Sequence, residues 1–304
     1  MGLFSYDNKP EQREDLLSII KDVSATKDNY LVTNLGTSTA RNTLHEWGVF
    51  NLARPTSNTF TAEGADYADQ NLTTPTRSTN FTAILTEAVR VSGTERALDT
   101  ITHQDPMQFQ KAKRLPYFKA RMEFAVLNGG AVVSGASGTA RQMAGINSVI
   151  STNLTARSSG TSFSATELED ILQNSWDAVG QGDVADTLLC TMGIKRKIAG
   201  FTTRVTQYNN STKDINADVM TYEASSGMVK IIPHKDVINA TGSTHVYALK
   251  LDNFKMAFLS GREPKFEDLP KTGDSSRGWF ITEMTLESLA ERASVKRYGY
   301  NQNG

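Results

Sequence analysis

Residues 105–130 have the sequence DPMQFQKAKRLPYFKARMEFAVLNGG and decide the fold, because this is the longest stretch that favours a single helix. Asp105 is a suitable N-cap, and Pro106 suits the first helical position, where no amide donor is needed. Two glycines supply a stop. Apolar side chains recur at three- and four-residue spacing: Leu115, Phe118, Met122, Ala125 and Val126. The pattern predicts a helix over 105–129, with a kink or a break at Pro116, since an interior proline removes a backbone hydrogen bond.

The chain ahead of this helix predicts a long, polar β-hairpin. Residues 56–79 are rich in Thr, Asn, Ala, Asp and Gln and contain almost no core-forming side chains. A long excursion of this kind is either disordered or held by something outside the domain. On its return side, apolar residues alternate with polar ones, as in a half-buried strand: Phe81, Ala83, Leu85, Val89 and Val91. We interpret 30–52 as a strand plus a connection, and 95–101 as a short helical linker.

The second half predicts a mixed α+β domain over about 145–260. Its best-specified element is a helix over 165–179, which begins with a capping box of Ser164 and Glu167. Glu167 and Glu169 form a carboxylate pair that we interpret as a solvated helix face. The other predicted elements are a strand at 187–192, a helix at 194–201, a hairpin at 219–233, a strand at 245–251 and a long returning strand at 278–289.

Composition excludes several classes of protein. The 304 residues include 32 Lys and Arg against 33 Asp and Glu, so the long-range field is weak. A protein that binds nucleic acid through phosphate contacts is usually more basic than this chain. Cys190 is the only cysteine, which excludes an intramolecular disulfide framework, and we expect it to be a small core residue. Because the sequence has neither a signal-peptide pattern nor a membrane-spanning apolar run, we expect a soluble intracellular protein.

Motifs for catalysis are missing from the sequence. The four histidines show no paired metal-ligand spacing: His45, His103, His234 and His245. The glycines at 180 and 182 imitate a dinucleotide fingerprint but close a helix instead of opening one. No serine lies in a GxSxG turn. We therefore predict no catalytic residue, no cofactor and no metal site.

The order of the predicted elements along the chain resembles that of a known protein family. A short arm, a long polar hairpin, a long helix, a mixed α+β domain and a returning strand resemble the major capsid protein of tailed bacteriophages, the Hong Kong 97-type fold. The local sequence is also similar to a podovirus-type major head protein family. The matching segments, in order over about 30–300, are Trp47, 63–66 (EGAD), 80–82 (NFT), 91–94 (VSGT), 121–125 (RMEFA), Arg141, 145–146 (GI), 285–287 (TLE) and 291–293 (ERA).

The resemblance implies an α+β fold with an N-terminal arm, an extended-loop hairpin, a spine helix, a peripheral domain and an axial domain. The implied boundaries are 1–45 for the arm and lead-in strand, 46–92 for the extended loop, 93–140 for the peripheral domain with its spine helix at 105–129, 141–260 for the axial domain, and 261–304 for the return strand to the peripheral domain and the C-terminal end.

The resemblance also implies a function. The chain would self-assemble into hexamers and pentamers of an icosahedral phage head that encloses double-stranded DNA through weak interior contacts. It would be assembled in the bacterial host cytoplasm and reside in the virion, without a membrane. Its partners would be its own copies and the portal and scaffolding proteins, while decoration proteins are left open.

Five charged residues are candidates for contacts between subunits. Three lie in the hairpin and two on the spine helix: Glu63, Asp66, Arg77, Arg114 and Arg121. For each of them the alternative is an ordinary solvated charge. Two other functions remain open at this point, namely a tube or ring protein of a phage tail and a cytoplasmic α+β enzyme. A compact pocket with a perturbed titratable group would favour the enzyme.

Overall fold

The computed structural model describes residues 29–50, 60–66, 74–98, 105–180, 182–201, 205–207, 220–237, 244–271 and 273–301. The α-helices formed by these residues are α1 (Tyr30–Asn34), α2 (Gly93–Ala97), α3 (Pro106–Asn128), α4 (Ile146–Val149), α5 (Ala165–Val179) and α6 (Met192–Ala199). Their strands are β1 (Gly36–Ala40), β2 (Leu44–Val49), β3 (Thr76–Phe81), β4 (Ala83–Ser92), β5 (Leu154–Thr161), β6 (Thr187–Cys190), β7 (Val205–Gln207), β8 (Met220–Ala224), β9 (Gly227–Pro233), β10 (Thr244–Leu249), β11 (Phe254–Leu259), β12 (Lys265–Leu269), β13 (Ser275–Ser288) and β14 (Val295–Tyr300).

The long helix α3 begins and ends where the sequence predicts. The Asp105 side chain accepts the backbone N–H of Met107 at 2.9 Å, which caps the first turn. The helix continues through Pro116, so the predicted break does not occur. An interior proline costs a helix about 3 kcal/mol, and the packing of the buried face offsets this cost. On that face Phe118 stacks on Phe280 with ring centroids 5.8 Å apart. Leu115, expected in the buried stripe, is 41% exposed.

A five-stranded sheet forms one layer under this helix. Its strand order is β1-β11-β13-β12, and β4 also pairs with β13. The long strand β13 therefore lies at the centre of the sheet. Its first part pairs antiparallel with β4, from Ser275 opposite Ser92 to Met284 opposite Ala83. Its last part, up to Ser288, pairs with β11.

A seven-stranded mixed sheet forms the second layer, in the order β5-β14-β10-β6-β9-β8-β7. Alternate residues of its central strands enter two different cores. Leu188 and Cys190 of β6 pack with helices α5 and α6, whereas Leu189 packs with α3 and the five-stranded sheet. The same alternation occurs in β10: Val246 packs in the core with α5 and α6, and Tyr247 packs in the core with α3 and the five-stranded sheet. The predicted α+β class is confirmed.

Helix α5 follows its predicted bounds, but its capping box is only half formed. The Ser164 hydroxyl accepts the N–H of Glu167 at 3.2 Å, as predicted. The Glu167 carboxylate instead accepts hydrogen bonds from Arg157, Arg297 and Tyr300, so the predicted solvated face is wrong at this position. Burial alone would raise the pKa of Glu167, but these donors and the two positive charges outweigh it and hold the pKa below its usual value.

Other boundaries differ from the predictions because distant parts of the chain decide them. Residues 30–34 form the short helix α1 instead of a strand. The strand predicted at 245–251 is β10, which ends at Leu249. After β13 the chain leaves the five-stranded sheet, because β14 pairs with β10 and β5 of the other sheet.

The predicted domain boundaries do not coincide with the strand pairing at two places. Residues 83–92, assigned to the extended loop, form β4 and pair with β13 rather than with β3. Residues 254–259, assigned to the axial domain, form β11 in the same five-stranded sheet. Residues 1–28, most of the predicted arm, lie outside the described residues. The division into named capsid domains stays a prediction.

Candidate functional site

The predicted hairpin exists as a two-stranded ribbon. Strands β2 and β3 pair antiparallel, from Leu44 opposite Phe81 to Val49 opposite Thr76. Arg77 of β3 lies 3.4 Å from the carboxylate of Glu46 on β2. Because the Arg77 side chain is 74% exposed, solvent screens this pair and it adds little stability. The alternation that predicted a returning strand at 81–92 belongs partly to β4, which lies in the sheet and not in the ribbon.

Every residue of the segment 60–66 is exposed, and the segment combines an aromatic side chain with two acids. Phe60 is 89% exposed, the highest value for a large apolar residue among those described. Glu63 and Gly64 form a turn, in which Gly64 adopts a φ of +80° that favours glycine. Glu63 and Asp66 form no ion pair with any other residue that the structure describes. We call residues 60–66 the tip of the hairpin.

The two predicted residues on α3 come together around one carboxylate. Arg114 and Arg121 each place a guanidinium nitrogen 3.0 Å from Glu87 of β4, one on each carboxylate oxygen. Arg121 also donates to the carbonyl of Thr86. The two arginine side chains remain 47% and 42% exposed. Since one carboxylate faces two guanidinium groups, this face of α3 keeps a net positive charge.

The ribbon is anchored to its own subunit by side chains that the sequence analysis did not single out for this role. The amide of Asn80 is buried, donates to the carbonyls of Ala144 and Leu286, and accepts the N–H of Ala144. The indole N–H of Trp47 donates to the carbonyl of Ser288 at 2.7 Å. Both acceptors on β13 lie beyond Met284, the last residue that pairs with β4. The burial of Asn80 cannot be read from the sequence, where it is one asparagine in a polar segment, so this contact had no sequence signal of its own.

Two grooves are the main candidates for a small-molecule site. The first, of about 620 Å³, lies between α1 and the end of β9 and is lined by residues including Tyr30, Lys119 and Ile232. Burial raises the pKa of Tyr30, which makes its phenol a weaker acid near neutral pH. The second, of about 560 Å³, lies beside α5 and includes Glu169 and Tyr222, which hydrogen bond to each other.

The most strongly perturbed groups are buried inside the fold. Burial, together with the smaller effect of the positive charge of Lys296, lowers the pKa of His245 to about 4; neither side chain lines the two grooves. Burial also raises the pKa of Cys190 to about 12, which keeps the thiol protonated and unreactive. Among the described residues there is no cluster of three or more His, Cys, Asp or Glu that could hold a metal ion. No described helix has the length and apolar character that a bilayer crossing requires.

Comparison with known families gives one match over nearly the whole chain. The family model described as SU10 major capsid protein matches residues 4–299. No protein with a curated description matches the sequence.

Solved structures of phage capsids and of an encapsulin complex are similar to this fold. The capsid of Myoviridae phage XM1 aligns with a TM-score of 0.58 at 12% identity, covering 94% of this chain and 96% of that one. The cyanophage Pam1 capsid aligns with a TM-score of 0.58 at 10% identity, covering 99% and 100%. The holo-SrpI encapsulin complex from Synechococcus elongatus PCC 7942 aligns with a TM-score of 0.61 at 12% identity, covering 94% and 93%. At these identities the likeness shows the fold, which confirms the predicted Hong Kong 97-type architecture.

Proposed function

Because the chain belongs to the SU10 major capsid protein family, we propose that its copies form hexamers and pentamers that close into the icosahedral head of a tailed bacteriophage around double-stranded DNA. Membership of the family makes it a shell-forming protein of the virion capsid. The proposal adds the ring sizes, the enclosed genome, assembly in the bacterial host cytoplasm, portal and scaffolding proteins as partners, and a purely structural role without catalysis.

The observation that carries the proposal is the hairpin with its exposed tip. A two-stranded ribbon outside a larger sheet is marginal in water unless something else covers it. The tip holds an aromatic side chain, Phe60, and two acidic residues without a described ion pair, Glu63 and Asp66. Groups of this kind are suited to a contact with another surface that is apolar and basic.

The exposed face of α3 has this complementary character. Arg114 and Arg121 share a single carboxylate, so the face attracts acids. Tyr117 and Phe124, seven residues apart on the same helix face, are 43% and 55% exposed. We therefore propose that the tip of one copy lies against α3 of the next. Two different surfaces meet in such a contact, so it is heterologous and generates closed rings when the rotation between copies closes.

The near balance of charges supports the proposed relation to DNA. Tight binding to DNA requires many Lys or Arg side chains that neutralise phosphates, whereas the 32 basic residues of this chain are offset by 33 acidic ones, for a formal net charge of −1. A shell of this composition encloses nucleic acid without binding it tightly. Arg77, which already pairs with Glu46 in the ribbon, remains a proposed contact residue whose individual contribution is small.

Electron microscopy of the chain expressed in bacteria tests the proposal. Closed shells of uniform diameter, together with hexamers and pentamers in native mass spectra, are the expected result. Open tubes or stacked rings would favour the tail-protein alternative. A population made only of monomers, also after co-expression with the proposed scaffolding partner, would contradict the proposal.

A further inference from the structure

The two connections between the hairpin and the five-stranded sheet, which we call the root of the hairpin, are very short. Strand β1 of the five-stranded sheet ends at Ala40 and β2 of the ribbon begins at Leu44, while β3 ends at Phe81 and β4 begins at Ala83. The single residue Thr82 therefore separates two strands that belong to different sheets. Thr82 is fully buried, and its N–H donates to the carbonyl of Thr43 at 2.8 Å, which ties the two joints together. The group that holds Thr82 therefore acts at the root of the ribbon and adds to the anchors at Asn80 and Trp47 in setting the direction in which the ribbon leaves the body.

One buried carboxylate holds Thr82 in place. Glu283 of β13 is only 4% exposed, and its side chain accepts the Thr82 hydroxyl at 2.7 Å. The same oxygen accepts a guanidinium N–H of Arg141 at 2.6 Å, and the other oxygen accepts from Arg262 at 3.3 Å. The N–H of Glu283 also donates to the carbonyl of Arg262 at 3.0 Å.

These partners come from three separate parts of the chain. Thr82 belongs to the root of the ribbon, Arg141 to the connection that follows α3, and Arg262 to the turn between β11 and β12. The paired strands bring Ile84 of β4 directly opposite Glu283, so the carboxylate lies beside the point where β4 begins. A buried charge is stable only when it is paired and hydrogen bonded, and here the charge satisfies both conditions by joining the three segments.

We propose that Glu283 is a positioning residue for shell assembly, which fixes the angle of the hairpin relative to the five-stranded sheet. The inference rests on the proposed function, since the angle matters only when the tip must reach another copy. A six-residue strand is about 20 Å long. A rotation of about 10° at the root therefore moves the far end of the ribbon by about 3–4 Å, which is larger than a hydrogen bond tolerates.

A pair of matched variants tests this role. Glu283→Gln removes the charge and leaves one acceptor oxygen for three side-chain donors. Glu87→Gln is the control, because Glu87 also faces two arginines and lies on β4, but its ion pairs are with α3 and not with any described residue of the ribbon. Hydrogen exchange of the unassembled chain is measured in peptides covering 43–49 and 76–82. We expect at least tenfold faster exchange there in Glu283→Gln, with strands β6 and β10 unchanged, and no effect on the ribbon in Glu87→Gln.

A second variant keeps the test decisive if Glu283→Gln folds poorly. Thr82→Val removes only the hydroxyl and leaves Glu283 with both arginines, so we expect about threefold or more faster exchange in the same peptides. Unchanged exchange in Thr82→Val and in folded Glu283→Gln would overturn the positioning role. Faster exchange with particles of normal number and diameter would overturn its link to assembly. Failure of the unmodified chain to form particles would contradict the proposed function instead, and the exchange data would still decide the role of Glu283 at the root.

Discussion

Replacing Glu123 with glutamine should destabilise the fold by about 3 kcal/mol, although it removes only one charge. Glu123 lies in the middle of α3 and is completely buried. Its carboxylate accepts the backbone N–H groups of Leu31 and Val32, both at 2.7 Å, and lies 2.9 Å from Nε2 of His234. The N–H of Asp236 donates to the other ring nitrogen, so the His234 proton is on Nε2 and is donated to Glu123. Two backbone N–H groups and the His234 ring N–H therefore all donate to the buried Glu123 carboxylate.

The magnitude follows from this geometry. A glutamine offers one acceptor oxygen, so at least one of the three buried donors loses its partner and the others lose a charged acceptor. An unsatisfied buried donor costs about 1–3 kcal/mol, and breaking a buried charged pair costs about 3–5 kcal/mol. The first turn of α1, which contains Leu31 and Val32, should also loosen. Urea denaturation of the unassembled chain measures the total, and hydrogen exchange at these two amides measures the local effect.

The control is again Glu87→Gln, because the arginine partners of Glu87 are about half exposed and solvent screens them. We expect it to cost no more than about 1 kcal/mol. If Glu123→Gln unfolds within about 1 kcal/mol of the unmodified chain, with unchanged exchange at Leu31 and Val32, then the buried carboxylate does not hold α1 in place and the reasoning fails.

Two further predictions concern pH and backbone packing. The pKa of His245 is about 4, below its unfolded value of about 6.5, so the unfolded chain takes up a proton first and stability falls by about 1–2 kcal/mol between pH 7 and pH 5. Denaturation curves at the two pH values should show that His245→Gln lacks this part of the loss of stability. An equal loss in the variant and in the unmodified chain would contradict the prediction. Gly129→Ala should lower stability by about 2 kcal/mol or more, because the new Cβ would lie 2.4 Å from the backbone nitrogen of Gly145. Gly130→Ala, whose Cβ meets nothing within 4 Å, should change thermal stability little, and equal effects of the two substitutions would refute this.

Elements with local signals could be predicted from the sequence. Helix α3 has its N-cap, its early proline and its glycine stop within one continuous segment, so its bounds are correct to one residue. Helix α5 was equally well marked by Ser164 and by the glycine at its end. In both cases the deciding hydrogen bonds join residues only a few positions apart.

Elements decided by distant contacts were missed. Residues 30–34 look like a strand, but Glu123, more than ninety positions later, accepts the first N–H groups of helix α1. The root of the hairpin depends on Glu283, about two hundred positions after Thr82. No periodicity or spacing signals a contact of that kind. The tip of the hairpin was predictable as a surface because 56–79 contains almost no core-forming side chains, whereas its role in contacts between copies stays a prediction.

Carbodiimide cross-linking of mixed-isotope particles tests most directly whether the tip of one copy reaches the next. Particles are assembled from equal amounts of unlabelled and nitrogen-15-labelled chain, and links from Glu63 or Asp66 to lysines are identified by mass spectrometry. A contact between copies predicts that about half of these links join one light and one heavy chain, with Lys113 of α3 among the partners. Links confined to chains of a single isotope would show that the tip folds back on its own subunit and would contradict the proposed shell contact.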